Sequence, residues 1–303
     1  MRFRILTVVW GDAFTERFLH FTLRSLLAPG NLRDLARLHE VTYHVYAPDD
    51  DFARMQASAR FEQIASIVAI RHCKLSLASI DPRNAMSHWD PWKAGVAAAR
   101  NDDVFVILVA PDHIFCRGAL ARWGGLLERG HLAVFSPGFQ VAAETLGPEL
   151  RRRFPEDSPI DLSVEDLHDV IFRHLHPIKI AMFGGNPHPI GHPEWHLRAV
   201  HGRGFVQRIV GSHAVAFHPR RIRLTDNFCP IEKLDRVAFE PSWFIGAEPL
   251  LKHVEMLLQP ASIDDATLSY YGGWADRFIT PANLRESAIT HAYELAGDMQ
   301  AAE

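Results

Sequence analysis

The chain has 303 residues, of which 48% are apolar and 22% charged, a composition typical of a globular protein and unlike that of a disordered segment or a disulfide-rich mini-protein. Its formal charge of −4 provides no basic excess for binding a polyanion, which argues against nucleic acid as a partner. The three cysteines form no CxxC pair, so a reducing compartment is expected. The N-terminal apolar run 5–10 is too short for a signal peptide, and no segment reaches the roughly 20 apolar residues of a membrane span. These features predict a cytoplasmic protein without a transmembrane segment.

The first 140 residues alternate between strand and helix patterns. Because continuous apolar runs are typical of strands covered on both faces, the run 103–110 is predicted to be a central strand. The alternation predicts an α/β fold, a three-layer α/β/α sandwich with a mostly parallel central sheet. Predicted strands cover 4–10, 41–47, 66–70, 103–110 and 132–136, and predicted helices cover about 14–26, 52–65, 91–100 and 118–127.

The second half of the chain follows this alternation less closely. Helices are predicted at 144–153 and 164–174, a loop-rich insertion at about 176–204, a β segment at 205–217 with a hairpin around 211–212, and a helix near 249–257. Without an internal repeat or a low-complexity linker, residues 1–303 are expected to form a single domain with an elaborated C-terminal half, 141–303.

Candidate binding residues directly follow two of the predicted strands. Ligands of open parallel sheets bind beyond the carboxyl ends of the strands, where this chain has Trp10-Gly11-Asp12 and Pro111-Asp112-His113. The indole provides a stacking surface, the glycine allows close approach, and Asp112 with His113 offers ligands for a divalent cation or a ribose hydroxyl. The structural alternatives are that Asp12 caps a helix and that Pro111-Asp112 forms a turn.

Several common ligand motifs are missing from the sequence. There is no GxGxxG after the first strand and no GxxxxGK[ST], which argues against a Rossmann dinucleotide site and a P-loop. There is also no GxSxG elbow of an α/β hydrolase. What remains is an α/β fold that holds a nucleotide without a glycine-rich cradle and has a carboxylate after its central strand.

This combination, on the segments 8–12, 92–96 and 105–114, resembles the nucleotide-sugar-dependent glycosyltransferases of the GT-A fold, including bacterial members. The resemblance covers residues 3–120 and is patchy beyond them. It implies a hexosyltransferase-type enzyme in which 1–140 bind a nucleotide-sugar donor and 141–303 bind a glycan or small-molecule acceptor. In that family a DxD motif binds the donor diphosphate through Mn²⁺ or Mg²⁺, whereas Ala110-Pro111-Asp112 retains only the last carboxylate.

The resemblance also implies roles for further residues. Trp92, Lys93, Arg220 and Arg221 join the nucleotide-sugar site, the arginines by stabilising the leaving diphosphate, although packing of the tryptophan and solvation of the arginines are the structural alternatives. Metal ligands would be Asp112, His113, and His218 or His213 from the C-terminal half. Asp112 and Asp235 are the catalytic candidates, with Asp166 and Glu144 as other possible bases.

Two other functions stay open. The run 187–196 is rich in histidine and would suit a metal-dependent hydrolase, although its three prolines interrupt any helix that would align the rings. The incomplete aspartate motif would also suit a non-catalytic binding protein derived from the GT-A fold.

Overall fold

The computed structural model describes residues 1–76, 89–136, 138–176, 195–200, 204–209, 214–223, 236–240 and 243–249. The chain clusters into two compact units: the first comprises 1–135, 154–161 and 213–238, and the second 136–153, 162–212 and 239–303. The single domain of 1–303 stays a prediction. Within the described ranges, no helix has the length and apolar character needed to cross a membrane.

Twelve strands are present in the described residues. They are β1 (Arg2–Val8), β2 (Glu40–Ala47), β3 (Ala69–Lys74), β4 (Phe105–Leu108), β5 (His113–Phe115), β6 (Ala133–Phe135), β7 (Gly138–Ala142), β8 (Trp195–Val200), β9 (Gly204–Ile209), β10 (Ala216–Phe217), β11 (Val237–Phe239) and β12 (Phe244–Glu248).

The first unit is organised around a seven-stranded sheet with the order β11-β6-β10-β4-β1-β2-β3. Strand β1 pairs in parallel with β2 and β4, and β2 pairs in parallel with β3. Strand β10 is antiparallel to both β4 and β6. The α/β class with a mostly parallel central sheet is therefore confirmed, and the run predicted to be the central strand does lie in the middle of the sheet.

Helices cover both faces of this sheet. Tyr43 on β2 contacts Phe18, with ring centroids 6.3 Å apart, so the segment that follows β1 packs on that face. Leu6 and Tyr46 point to the opposite face, where a Cβ on Gly95 would lie within 3.0 Å of both. Because side chains alternate along a strand, these contacts establish three layers. The helices of this unit are α1 (Gly11–Arg17), a π-helical turn (Phe18–Thr22), α2 (Leu23–Leu26), α3 (Leu32–Leu38), α4 (Asp49–Gln56), α5 (Ala59–Ala65), α6 (Trp89–Arg100) and α7 (Ala119–Glu128).

Three local predictions need correction in the first unit. The helix predicted over 52–65 is two helices, because residues 57–58 leave the helical path between α4 and α5. The third strand is β3 at Ala69–Lys74, later than the predicted 66–70. Asp12 does not cap α1, since Trp10 occupies the N-cap position and Asp12 lies in the first turn.

The second unit contains helices α8 (Ala143–Arg153) and α9 (Val164–Arg173), close to the predicted bounds. Strand β7, which has no counterpart among the predicted elements, pairs in parallel with β12. Strands β8 and β9 pair in antiparallel orientation. The hairpin predicted around 211–212 lies outside the described residues; of the strands on either side, β9 pairs with β8, and β10 pairs with β4 and β6. The predicted helix near 249–257 lies outside the described residues, apart from Pro249.

Candidate functional site

The sheet reverses its direction of growth between β1 and β4. From β1 the chain adds β2 and then β3 on one side, and it then crosses back to place β4 on the other side of β1. The segments after β1 and β4 therefore both leave the sheet at its carboxyl edge, on either side of the point where the strand order reverses. Open α/β sheets bind ligands in the crevice at this position, and we call it the crevice below. Trp10-Gly11-Asp12 follows β1 and Pro111-Asp112-His113 follows β4, so the sequence-predicted pair of segments flanks this crevice.

Trp10 and Gly11 form an accessible part of the crevice. The Trp10 ring is half-buried and leans on Phe14, with centroids 5.2 Å apart. Gly11 has a φ of +72°, and a Cβ there would have no neighbour within 4 Å. A left-handed backbone beside open space favours glycine and leaves room for a ligand group to approach the main chain.

A network of charged groups holds this segment, and sequence reasoning did not find it. Asp51, in the first turn of α4, accepts a 2.7 Å hydrogen bond from the Gly11 amide and a 2.9 Å bond from Arg54. Arg54 also bonds Asp12, whose side chain is 91% exposed. The hydrogen bond to Asp12 raises the pKa of Arg54. The signal in the sequence was the acidic run 49–51 after the second strand, which shares the carboxyl edge with Trp10.

On the opposite flank, Asp112 is buried and His113 is half-buried. The His113 ring nitrogen Nδ1 accepts a 3.2 Å hydrogen bond from the Ala110 amide, and the His113 amide donates back to the Ala110 carbonyl at 3.2 Å. This reciprocal pair confirms that 110–113 form a tight turn. Asp112 is therefore held at a defined position after the central strand by the backbone of the turn.

Helix α6 places Trp92 and Lys93 in its first turns, on the approach to the same edge. Trp92 is buried and packs edge-to-face on Trp89, with centroids 5.7 Å apart, which favours the packing role over stacking on a nucleotide. Lys93 is 44% exposed, and its Nζ lies 3.9 Å from Asp90. At that distance and exposure the ion pair is weak, so Lys93 is available to an anionic ligand.

His218, Arg220 and Arg221 lie at the other edge of the sheet, and their prediction as donor-site residues needs correction. Strand β10 runs antiparallel to β4, with Phe217 opposite Val106. The residues after β10 therefore lie at the amino edge, whereas Asp112 follows the carboxyl end of β4. His218 Nε2 is 3.0 Å from Asp103, and Arg221 is 3.4 Å from the same carboxylate.

The described residues do not fit the predicted metal shell. Asp112 and His113 share one edge, whereas His218 is bonded to Asp103 at the opposite edge. Across the described ranges, no three His, Cys, Asp or Glu side chains come together as a metal site. His213, Asp235 and the histidine-rich run 187–194 lie outside the described residues, so their roles stay predictions.

Of the alternative bases, Asp166 has a structural role. Its side chain and that of Ser163 form the capping box that begins α9, and it bonds Arg153 at 2.6 Å. Although partial burial acts in the opposite direction, hydrogen bonds from Arg153 and Ser163 lower the pKa of Asp166. A carboxylate held in this way is a poor proton acceptor, which argues against Asp166 as the base. Glu144 lies in the exposed first turn of α8.

Comparison with known proteins identifies no family for this chain. No protein-family model and no curated protein matches it. Among solved structures it is similar to mouse xyloside xylosyltransferase 1 in its apo form, with 9% identity, a TM-score of 0.32, and coverage of 53% of this chain and 61% of that one. Another similar structure is assigned as a glucose-1-phosphate thymidylyltransferase from Bacillus anthracis, in complex with sucrose, with 9% identity, a TM-score of 0.27, and coverage of 46% and 55%. The chain thus spans less than two thirds of either protein.

Proposed function

We propose that this protein is a glycosyltransferase of hexosyltransferase type that binds a nucleotide-sugar donor in the crevice between β1 and β4. The observation that carries the proposal is the reversal of strand order between these two strands, with an accessible indole and an open glycine on one flank and Asp112 on the other. A nucleotide sugar has a base, an anionic diphosphate and a sugar. The crevice offers a suitable group for each of them.

The segment after β1 would hold the nucleoside. The half-buried Trp10 ring presents a face on which a base can stack, an interaction that Trp92 is too buried to make. The absence of a side chain at Gly11 lets the ribose and phosphates approach the main chain. The hydrogen bond from the Gly11 amide to Asp51 keeps this segment in position before the donor binds.

Lys93 would meet the diphosphate. The first turns of α6 carry the positive end of the helix dipole and favour an anion, and Lys93 adds a full charge there. Cleavage of the bond between sugar and diphosphate leaves negative charge on the departing phosphate and positive charge on the sugar ring. In this proposal Lys93 stabilises the departing phosphate, and Asp112 orients either the transferred sugar or the ribose of the nucleoside.

The acceptor is a glycan or small molecule with a free hydroxyl, bound by the second half of the chain. Its deprotonation needs a base, for which Asp235 remains the proposed residue with Glu144 as the alternative. A Mn²⁺ or Mg²⁺ requirement also remains a proposal, which the experiment below includes as a variable.

A thermal-shift panel of UDP-, GDP-, CMP- and TDP-sugars, each with and without Mn²⁺, tests the donor site. A donor at about 100 times its Kd stabilises the folded state by about 2.7 kcal/mol, which corresponds to a rise in Tm of several degrees for a protein of this size. We expect one nucleotide class to produce this rise. A panel without any shift would refute the proposal.

Two carboxylates at opposite ends of the same strand provide a matched pair of variants. Asp112→Asn should abolish the donor-dependent rise in Tm, whereas Asp103→Asn, at the amino edge, should preserve it. Trp10→Ala should weaken donor binding and Trp10→Phe should largely restore it, because a phenyl ring still stacks. Release of nucleoside diphosphate with candidate acceptors then separates an enzyme from a binding protein, since the latter would bind the donor without turnover.

A further inference from the structure

A cavity of about 510 Å³ lies at the amino edge of the seven-stranded sheet, within the first unit. This volume lies in the range of small-molecule sites. The lining comes from the starts of β1 and β4, the end of α7, the turn after β10 and the residue before β11. The lining residues on which the argument rests are Arg2, Phe105, Leu127, His218, Arg221 and Arg236.

Three arginines give the cavity a positive wall. Arg2 donates to the backbone carbonyls of Asp102 and Asp103, so its charge is not neutralised by those bonds. In the part of the chain that the structure describes, neither Arg2 nor Arg236 has a carboxylate within ion-pair distance. Arg221 is 56% exposed, and its Nη2 lies 3.4 Å from Asp103, a contact long enough to be exchanged for a better one.

The two acidic residues of the lining are already engaged. Asp103 accepts a hydrogen bond from the buried His218 ring at 3.0 Å, and its backbone adopts the left-handed region with a φ of 48°. Partial desolvation acts to raise the pKa of Asp103, but the charge of Arg221 and the hydrogen bond from His218 outweigh it, so this pKa is lowered. Glu128 points to His39, at 3.6 Å. Burial lowers the pKa of His39 and of His218, so Arg221 is the charged partner that reduces the repulsion between Asp103 and an anion.

The inner part of the cavity is apolar. Phe105 and Leu127 are buried, and Phe105 packs edge-to-face on His218 with centroids 4.9 Å apart. Near the end of α7, the carbonyls of Gly125, Leu126 and Leu127 accept hydrogen bonds from the amides of residues 129–131. The cavity therefore combines an apolar floor with a cationic rim.

From this arrangement we propose that the amino-edge cavity binds an organic phosphate, with its apolar body on Phe105 and Leu127 and its phosphate against Arg2, Arg221 and Arg236. Arginine suits this role because its planar guanidinium donates two parallel hydrogen bonds to a phosphate. The site lies across the sheet from the crevice of Trp10 and Asp112, so it does not depend on the proposed transferase activity.

Titration calorimetry with phenyl phosphate tests the proposal, with inorganic phosphate and benzyl alcohol as probes of the two halves of the ligand. Phenyl phosphate should bind more tightly than either. Arg236→Gln and Arg221→Gln should each weaken binding about tenfold, the effect of losing one charge-assisted hydrogen bond of about 1.4 kcal/mol. Arg33→Gln, an exposed change on α3, should have no effect.

Asp103→Asn gives a prediction of opposite sign. Asparagine tolerates the left-handed backbone and keeps the acceptor for His218, but it releases Arg221 and removes a negative charge. Phenyl phosphate should therefore bind several-fold more tightly to this variant. An absence of binding, binding unaffected by Arg221→Gln and Arg236→Gln, or weaker binding to Asp103→Asn would each overturn the proposal. Asp112→Asn, which should lose the nucleotide-dependent rise in Tm, should bind phenyl phosphate as tightly as the parent protein does. The two sites can therefore be tested separately.

Discussion

Two glycines with the same backbone conformation should respond very differently to substitution by alanine. Gly11 has a φ of +72° and Gly30 a φ of +74°. A Cβ on Gly11 would meet nothing within 4 Å, whereas a Cβ on Gly30 would lie 2.6 Å from the Gly118 Cα and 2.9 Å from its amide nitrogen. The two substitutions therefore share the backbone strain and differ in the clash.

The expected magnitudes follow from these contacts. An alanine in the left-handed conformation destabilises the folded state by roughly 1–2 kcal/mol. Alanine also lowers the conformational entropy of the unfolded chain, which favours folding by about 0.4–1 kcal/mol. Gly11→Ala should therefore destabilise the protein by about 1 kcal/mol. Gly30→Ala adds an overpacking cost of about 1–3 kcal/mol, because backbone atoms cannot move aside as a side chain can. Any backbone displacement that relieves the clash would also disturb two hydrogen bonds of 3.0 Å, from the Gly118 amide to the Pro29 carbonyl and from the Ala121 amide to the Gly30 carbonyl.

Urea unfolding of the two variants and the parent measures the difference. With an unchanged slope m, the change in midpoint reports stability directly, and Gly30→Ala should be less stable than Gly11→Ala by about 1–3 kcal/mol. Gly130→Ala, with a φ of +95° and open space around its Cβ, is the internal control and should resemble Gly11→Ala. Equal destabilisation of all three variants would refute the reasoning, since it would mean that the close approach to Gly118 is not present.

Two further predictions concern the first unit. Arg24 is buried and donates hydrogen bonds to the carbonyls of Phe154, Pro155 and Ser158 at 3.1, 2.6 and 2.9 Å. Arg24→Met should therefore lower the free energy of unfolding by about 2–4 kcal/mol and speed limited proteolysis within 154–161, and a variant that resists the protease as the parent does would contradict this. Burial, followed by the charge of Arg4, lowers the pKa of His44 to about 4. Because the ring of the unfolded chain is protonated at a higher pH than that of the folded chain, the free energy of unfolding should fall by about 1–3 kcal/mol as the pH falls from 6.5 to 4. Because His44→Leu removes this titration, its stability profile should be flatter over that range, and an unchanged slope would contradict the assignment.

Much of the sheet could be predicted from the sequence. The strands at 41–47 and 132–136 and the central run 103–110 lie in the seven-stranded sheet, because long apolar runs bounded by turn residues are distinctive of buried strands. The segments after the first and central strands were identified in the same way, and they lie at the same edge of the sheet because β1 and β4 are parallel neighbours. Strand β10 lies at the end of the β segment predicted at 205–217, but its place in the sheet escaped prediction, since its pairing with β4 and β6 depends on chain segments distant in sequence.

That short strand decides where the basic residues lie. From the sequence alone, His218 and Arg220-Arg221 were assigned to the same site as Asp112. Their antiparallel approach to β4 places them instead at the amino edge, around Asp103 and its cavity. The charged contacts of Asp51 and Arg54 with the segment after β1 depend similarly on which loops meet at an edge.

The sequence by itself therefore determined the α/β class and which residues follow each strand, because local hydrophobic periodicity reports which faces of an element are buried. The tertiary structure alone decided which of those residues meet, because strand order and direction arise from contacts between distant parts of the chain. In this protein the antiparallel direction of β10 places Arg221 at the amino edge of the sheet, next to the cationic cavity. Trp10 and Asp112 lie at the opposite, carboxyl edge.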